Sequence, residues 1–157
     1  MAKLDWVHEV AGISLRREDA VPPAPSPLEA AAMASARGLE ATKNVFVASC
    51  GKSALASCMY VERFNTWGYN LLGQQRPKDA LTVFQLNAWA HPQSANAQDS
   101  LADAYLSAGE KESARTAVER AITLAPADSS FDPAARSSFL TEEKAKLQQI
   151  RQPSRRP

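Results

Sequence analysis

The sequence predicts an all-α fold: an antiparallel helix-hairpin solenoid. Three observations predict it. A 34-residue period relates Ala80 to Ala114, Pro92 to Pro126, Trp67-Gly68 to Leu101-Ala102, and Leu71 to Tyr105. Within each period the apolar residues recur in steps of three and four, the spacing of one helix face. Small residues stand at Gly68, Ala80, Ala102 and Ala114, where two antiparallel helices can approach closely.

The stripes define four helices in two pairs. Phe64, Trp67, Leu71 and Leu72 share one face, and Ala80, Val83, Phe84 and Ala88 share the next. Ala97, Leu101, Ala104, Tyr105 and Ala108 form the third stripe. Ala114, Ala117, Val118, Ala121, Ile122 and Ala125 form the fourth. Pro77 opens a helix where its missing N–H costs nothing. Gly109 suits a left-handed C-terminal stop.

Two units bury their faces only against neighbours, so flanking helices are expected. Asp132-Pro133 reads as an N-cap followed by proline at the first helical position. A closing helix then runs from Ala134 to Ile150, with Phe139, Leu140, Leu147 and Ile150 inward and the EEKAK run toward water. At the other end, Ser26-Pro27-Leu28-Glu29 is a capping box that starts a short alanine-rich helix, stopped by Gly38. Ala41, Val45 and Ala48 repeat the spacing of Ala80, Phe84 and Asn87, which predicts a degenerate N-terminal hairpin with a longer linker through Cys50, Gly51 and Cys58. Residues 1–25 differ. VPPAPSP is a stiff extended connector. Before it, alternation through Leu4, Trp6, His8 and Val10, then Ile13 and Leu15, predicts one or two short strands. The divisions are therefore an arm over 1–25, a helical domain over 26–151 and a basic tail over 152–157.

The repeat pattern resembles the tetratricopeptide family. Its first unit here is about 61–94, with Phe64, Trp67, Gly68, Leu71, Ala80, Phe84 and Pro92. The second is about 95–128, with Leu101, Ala102, Tyr105, Ala114, Val118, Ala121 and Pro126. Asn87 and Gln98 depart from the pattern, which has alanine and an aromatic there. The run LTVFQLNAWAHPQSANAQDSLADAYLSAGEKESARTAVERAITLAP also resembles the helical-repeat tails of bacterial serine hydrolases, of the penicillin-recognising and α/β-hydrolase types.

The resemblance implies a non-catalytic protein-interaction or scaffolding module. Two alternatives are an accessory domain or fragment of a serine hydrolase and a self-associating structural unit, as in a homodimer. By position, the family's peptide groove falls on Glu62, Asn65, Tyr69 and Leu72, then on Asn96, Asp99, Asp103 and Leu106. Two aspartates stand where a clamp for acidic tails needs basic or amide groups. The implied partner is a basic or apolar protein or peptide, with Tyr69 as an anchor.

Chemistry finds little support. Gly51-Lys52-Ser53 lacks the P-loop's earlier glycine, since Phe46 stands there. His8-Glu9 lacks the second histidine of a zinc-protease helix, since Gly12 stands there. No Gly-x-Ser-x-Gly elbow is present. The expectation is no enzyme activity, no cofactor and no metal. A net charge of +1 favours neither nucleic acid nor membrane, and no run of 18 apolar residues occurs. Asp5 and Glu9 interrupt what a secretory leader would need to be apolar. Cys50 and Cys58 are read as reduced thiols in a cytoplasmic protein; a disulfide between them is the less favoured alternative.

Overall fold

A computed structural model of the chain describes residues 23–152 and two short strands, β1 (Glu9–Val10) and β2 (Ile13–Ser14). The strands pair antiparallel, with Val10 opposite Ile13. The expected alternation at Leu4, Trp6, His8 and Leu15, and the basic tail beyond Gln152, lie outside the described residues.

From residue 23 to 152 every regular element is helical, so the fold is all-α. Helix α1 (Pro27–Arg37) starts on the expected capping box. The Ser26 N–H donates to the Glu29 carboxylate at 2.7 Å, and the Glu29 N–H donates to Ser26 Oγ at 3.3 Å. These bonds hold the Glu29 carboxyl below its usual range. Gly38, at φ 89°, ends α1 and leads into α2 (Leu39–Cys50). A 3-10 turn (Lys52–Ala54) and the short α3 (Leu55–Cys58) follow. Then come α4 (Val61–Gly73), α5 (Pro77–Ala90), α6 (Ala95–Ser107), α7 (Lys111–Leu124) and α8 (Pro133–Arg151).

The 34-residue period is visible bond by bond. After α4, the N–H groups of Gln75 and Arg76 donate to the carbonyls of Leu72 and Leu71. After α6, those of Gly109 and Glu110 donate to the carbonyls of Leu106 and Tyr105. Both are Schellman closures, and both need a left-handed residue. Gly109 supplies it at φ 79°, whereas in the first unit Gln75 is held there at φ 58°.

Short turns fold α4 against α5 and α6 against α7, and α6 packs onto α5. The small residues explain the closeness. A Cβ on Gly68 would lie 2.3 Å from the buried Phe84 ring, so any side chain there would force the ring to shift. Ala80, Ala102 and Ala114 are fully buried. Asn87, an exception to the repeat pattern, is also fully buried. Its amide donates to the Val61 carbonyl at 3.1 Å and to Asn65 Oδ1 at 2.7 Å, tying α5 to the start of α4. A buried polar side chain is tolerable because it is bonded.

The N-terminal hairpin sits differently. There α1 lies mainly on α5 and also against α4. The expected inner face of α2 is corrected by one residue. Thr42 and Phe46 are buried, whereas Ala41 and Ala48 are exposed and Val45 is half-buried. Phe46 offers the larger apolar area and meets Phe64 edge-on at 5.9 Å. Thr42 can be buried because its hydroxyl donates to the Gly38 carbonyl at 3.1 Å. The reading of reduced thiols is also corrected. Cys50 and Cys58 form a disulfide, with Cα atoms 5.9 Å apart, closing the linker on itself.

The closing helix exists as expected. Asp132 caps it through the Ala135 N–H at 2.8 Å. Arg136 anchors the preceding loop by donating to the carbonyls of Ala125, Asp128 and Phe131. Phe139, Leu140, Leu147 and Ile150 are half-buried. The outward EEKAK run is corrected: Glu143 is 2% exposed and is the one fully buried residue of α8.

Candidate functional site

The fold gives the eight groove positions different surroundings. Tyr69, Asp99 and Asp103 meet in a polar cluster formed by α4, α6 and α8. The Tyr69 hydroxyl donates to Asp103 Oδ2 at 2.9 Å, and Ser100 Oγ lies 3.4 Å away. Tyr69 and Asp103 are one repeat apart, so the hydrogen bond joins equivalent positions of successive units.

The third member comes from α8. Lys146 Nζ donates to Asp99 Oδ1, to Asp103 Oδ1 at 2.9 Å, and lies 3.1 Å from Glu143 Oε1. Three carboxylates thus surround one ammonium. Burial alone lowers the lysine, but its bonds and charge interactions with Asp99 and then Asp103 outweigh it and hold the ammonium above its ordinary range. Burial, opposed by Ser100 and reinforced by Asp103, raises the Tyr69 phenol, which keeps its proton as a donor. Burial and then the Asp99 charge push Glu143 up to about 7, with Lys146 pulling the other way. Glu143 Oε2 is buried without a hydrogen-bond partner.

Asn65 is engaged with Asn87, and Leu72 packs against the core. Leu106 stays exposed, and so does the ring of Tyr69, at 42%. Glu62 and Asn96 instead line a cleft of about 680 Å³ at one end of the helices, with Ala56, His91, Asp128 and Phe131. His91 and Asp128 are structural there. His91 Nε2 stands 2.5 Å from the Met59 carbonyl, which can only accept, so that nitrogen carries the proton. Asp128 accepts from the Ala95 N–H at 2.7 Å and from Ser130. Burial raises the Asp128 carboxyl, but these bonds and Arg136 outweigh it and leave it lowered.

The acidic groove expected from the sequence is therefore partly filled by the chain itself. Lys146 and Glu143 are not legible as members of the cluster, because they lie 40 or more residues from Asp99 and Asp103 in the sequence; their i, i+3 spacing is the one local signal. Among the described residues, no group of three His, Cys, Asp or Glu side chains is placed to hold a metal ion. Also among these residues, no helix is long and apolar enough to cross a membrane.

A scan against protein-family models finds no match for this chain, and a search of curated proteins finds none.

Proposed function

We propose that this chain is a non-catalytic protein-interaction module of tetratricopeptide type, binding a basic or apolar protein segment. The observation that carries the reading is the hydrogen-bond equivalence of the two units: the Schellman closures after α4 and α6, and the Tyr69–Asp103 bond across one repeat. Stacked helix hairpins present one helix of each pair on a shared face, a surface suited to extended partners. On that face Tyr69 and Leu106 remain exposed, and the carboxylates outnumber the single lysine. An aromatic anchor beside excess negative charge suits a segment with apolar and basic side chains.

The test compares capture of proteins from native lysate by the intact chain and by a Tyr69→Ala/Leu106→Ala double variant. A captured protein should be lost, or weakened by about tenfold or more, as expected for removing a hot-spot anchor. An unchanged capture profile rules out this face. A hydrolase assay on the intact chain is the control, and no turnover is expected.

The Cys50–Cys58 disulfide supports an oxidising compartment over the cytoplasm, since such bonds persist where thiols are not kept reduced. That setting also suits the second reading, an accessory domain of an exported serine hydrolase. Thiol labelling of the protein isolated from its native source without reductant should find both cysteines blocked. Labelling at both cysteines restores the cytoplasmic reading.

A further inference from the structure

We propose that α8, packed on α7 and reaching the acidic face of α6 through its side chains, is a pH-gated latch, docked while Glu143 is protonated and loosened when it ionises. The helix packs along α7, with Leu147 and Ile150 against the core and Phe139 on Phe131. These apolar residues are only half-buried, and of its 19 residues the one it buries fully is a glutamate, so the state of that carboxyl weighs heavily on how the helix docks.

The polar contact is unbalanced. Asp99 and Asp103 face the site from α6, Lys146 from α8 itself, and Tyr69 from α4 by way of Asp103. On α7, Arg115 pairs with Glu112 and Glu119, and Glu119 also takes Arg151; these groups are engaged with one another. One ammonium is thus shared among three carboxylates. A protonated Glu143 leaves two of them charged and can share its proton with the Asp99 carboxylate beside it. An ionised Glu143 adds a third charge, and its own carboxylate is the one of the three that is buried.

The sign follows from linkage. Docked, Glu143 holds its proton up to about 7; undocked, it returns to the ordinary glutamate value of roughly 4.3. Between these values the docked form binds more protons. Docking is therefore strongest in acid, and weakens as pH rises through the docked value. Opening would free Asp99 and Asp103 for a basic partner, a consequence that rests on the interaction reading above. The latch itself needs no partner.

The experiment is amide hydrogen exchange of the whole chain, with protection factors corrected for the intrinsic pH dependence of exchange. From about pH 5.5 to about pH 8.5, protection over 133–151 should fall roughly tenfold to thirtyfold, while α4 to α7 change little. Glu143→Gln, neutral and nearly isosteric, should hold α8 equally at both pH values. Asp99→Asn removes the charge that raises Glu143 and should move the midpoint down. Flat protection in the unmodified chain overturns the latch, as does a full pH response in Glu143→Gln or a parallel loss over 61–125. Because no partner is present, the latch can fail while the interaction reading stands, and the reverse.

Discussion

The two central hairpins, 61–125, and the N-terminal hairpin, 27–58, use the same element and solve its packing differently. In the central pair, helices approach through Gly68, Ala80, Ala102 and Ala114, and the turn bonds recur at a fixed interval. In the N-terminal hairpin, α1 rather than α2 makes the main contact with the next pair, and Phe46 reaches across to Phe64. A disulfide closes the joint that the repeat would have made with a short turn. Regularity comes from small residues that fix the interhelical distance. In the N-terminal hairpin the buried alanines, Ala30 and Ala31, are on α1, and one large side chain and a covalent bond set the place of α2.

The largest expected effect comes from removing that bond. Cys50→Ser/Cys58→Ser should cost roughly 2–3 kcal/mol in the chain-entropy account of so short a loop. Hydrogen exchange should show the loss mostly over 27–58, leaving 61–125 protected; uniform loss would make the two regions one cooperative unit.

Next is Gly68→Ala. Its added methyl would fall on the buried Phe84 ring, so urea unfolding should show a loss of about 1–3 kcal/mol from overpacking. A neutral result would mean that α4 and α5 can separate without penalty.

The smallest effect sharpens the comparison between the two units themselves. Gln75 occupies the left-handed position that Gly109 fills one repeat later. Gln75→Gly should stabilise by roughly 0.5–1 kcal/mol, read as a higher urea midpoint at unchanged slope, because the relieved strain exceeds the entropy glycine adds to the unfolded chain.

Local signals were legible. The start of α1 could be read from Ser26 and Glu29, and that of α8 from Asp132 and Pro133, because a cap involves residues three apart. The stripes of α4 to α7 were legible because one helix face is set by spacing. The inner face of α2 is not given by its alanine spacing, because Phe46, one residue along, carries the larger apolar area. Of the candidate site, Tyr69, Asp99 and Asp103 are legible from their places in the 34-residue period. Their partner Lys146 is not, since its i, i+3 spacing from Glu143 does not mark where α8 lands.

The sequence by itself determined helices α1, α2 and α4 to α8, the caps of α1 and α8, and the 34-residue interval, all consequences of contacts within a few turns or of a repeated small residue; the Ser94 cap of α6 and the short α3 were not among them. Tertiary structure alone decided three things: how the N-terminal hairpin docks, that Cys50 meets Cys58, and that Lys146 and Glu143 enter the acidic face of α6. Each depends on the rotation and height at which one helix settles on another. A half-buried amphipathic helix such as α8 leaves that choice to a few long-range contacts, here a lysine between carboxylates.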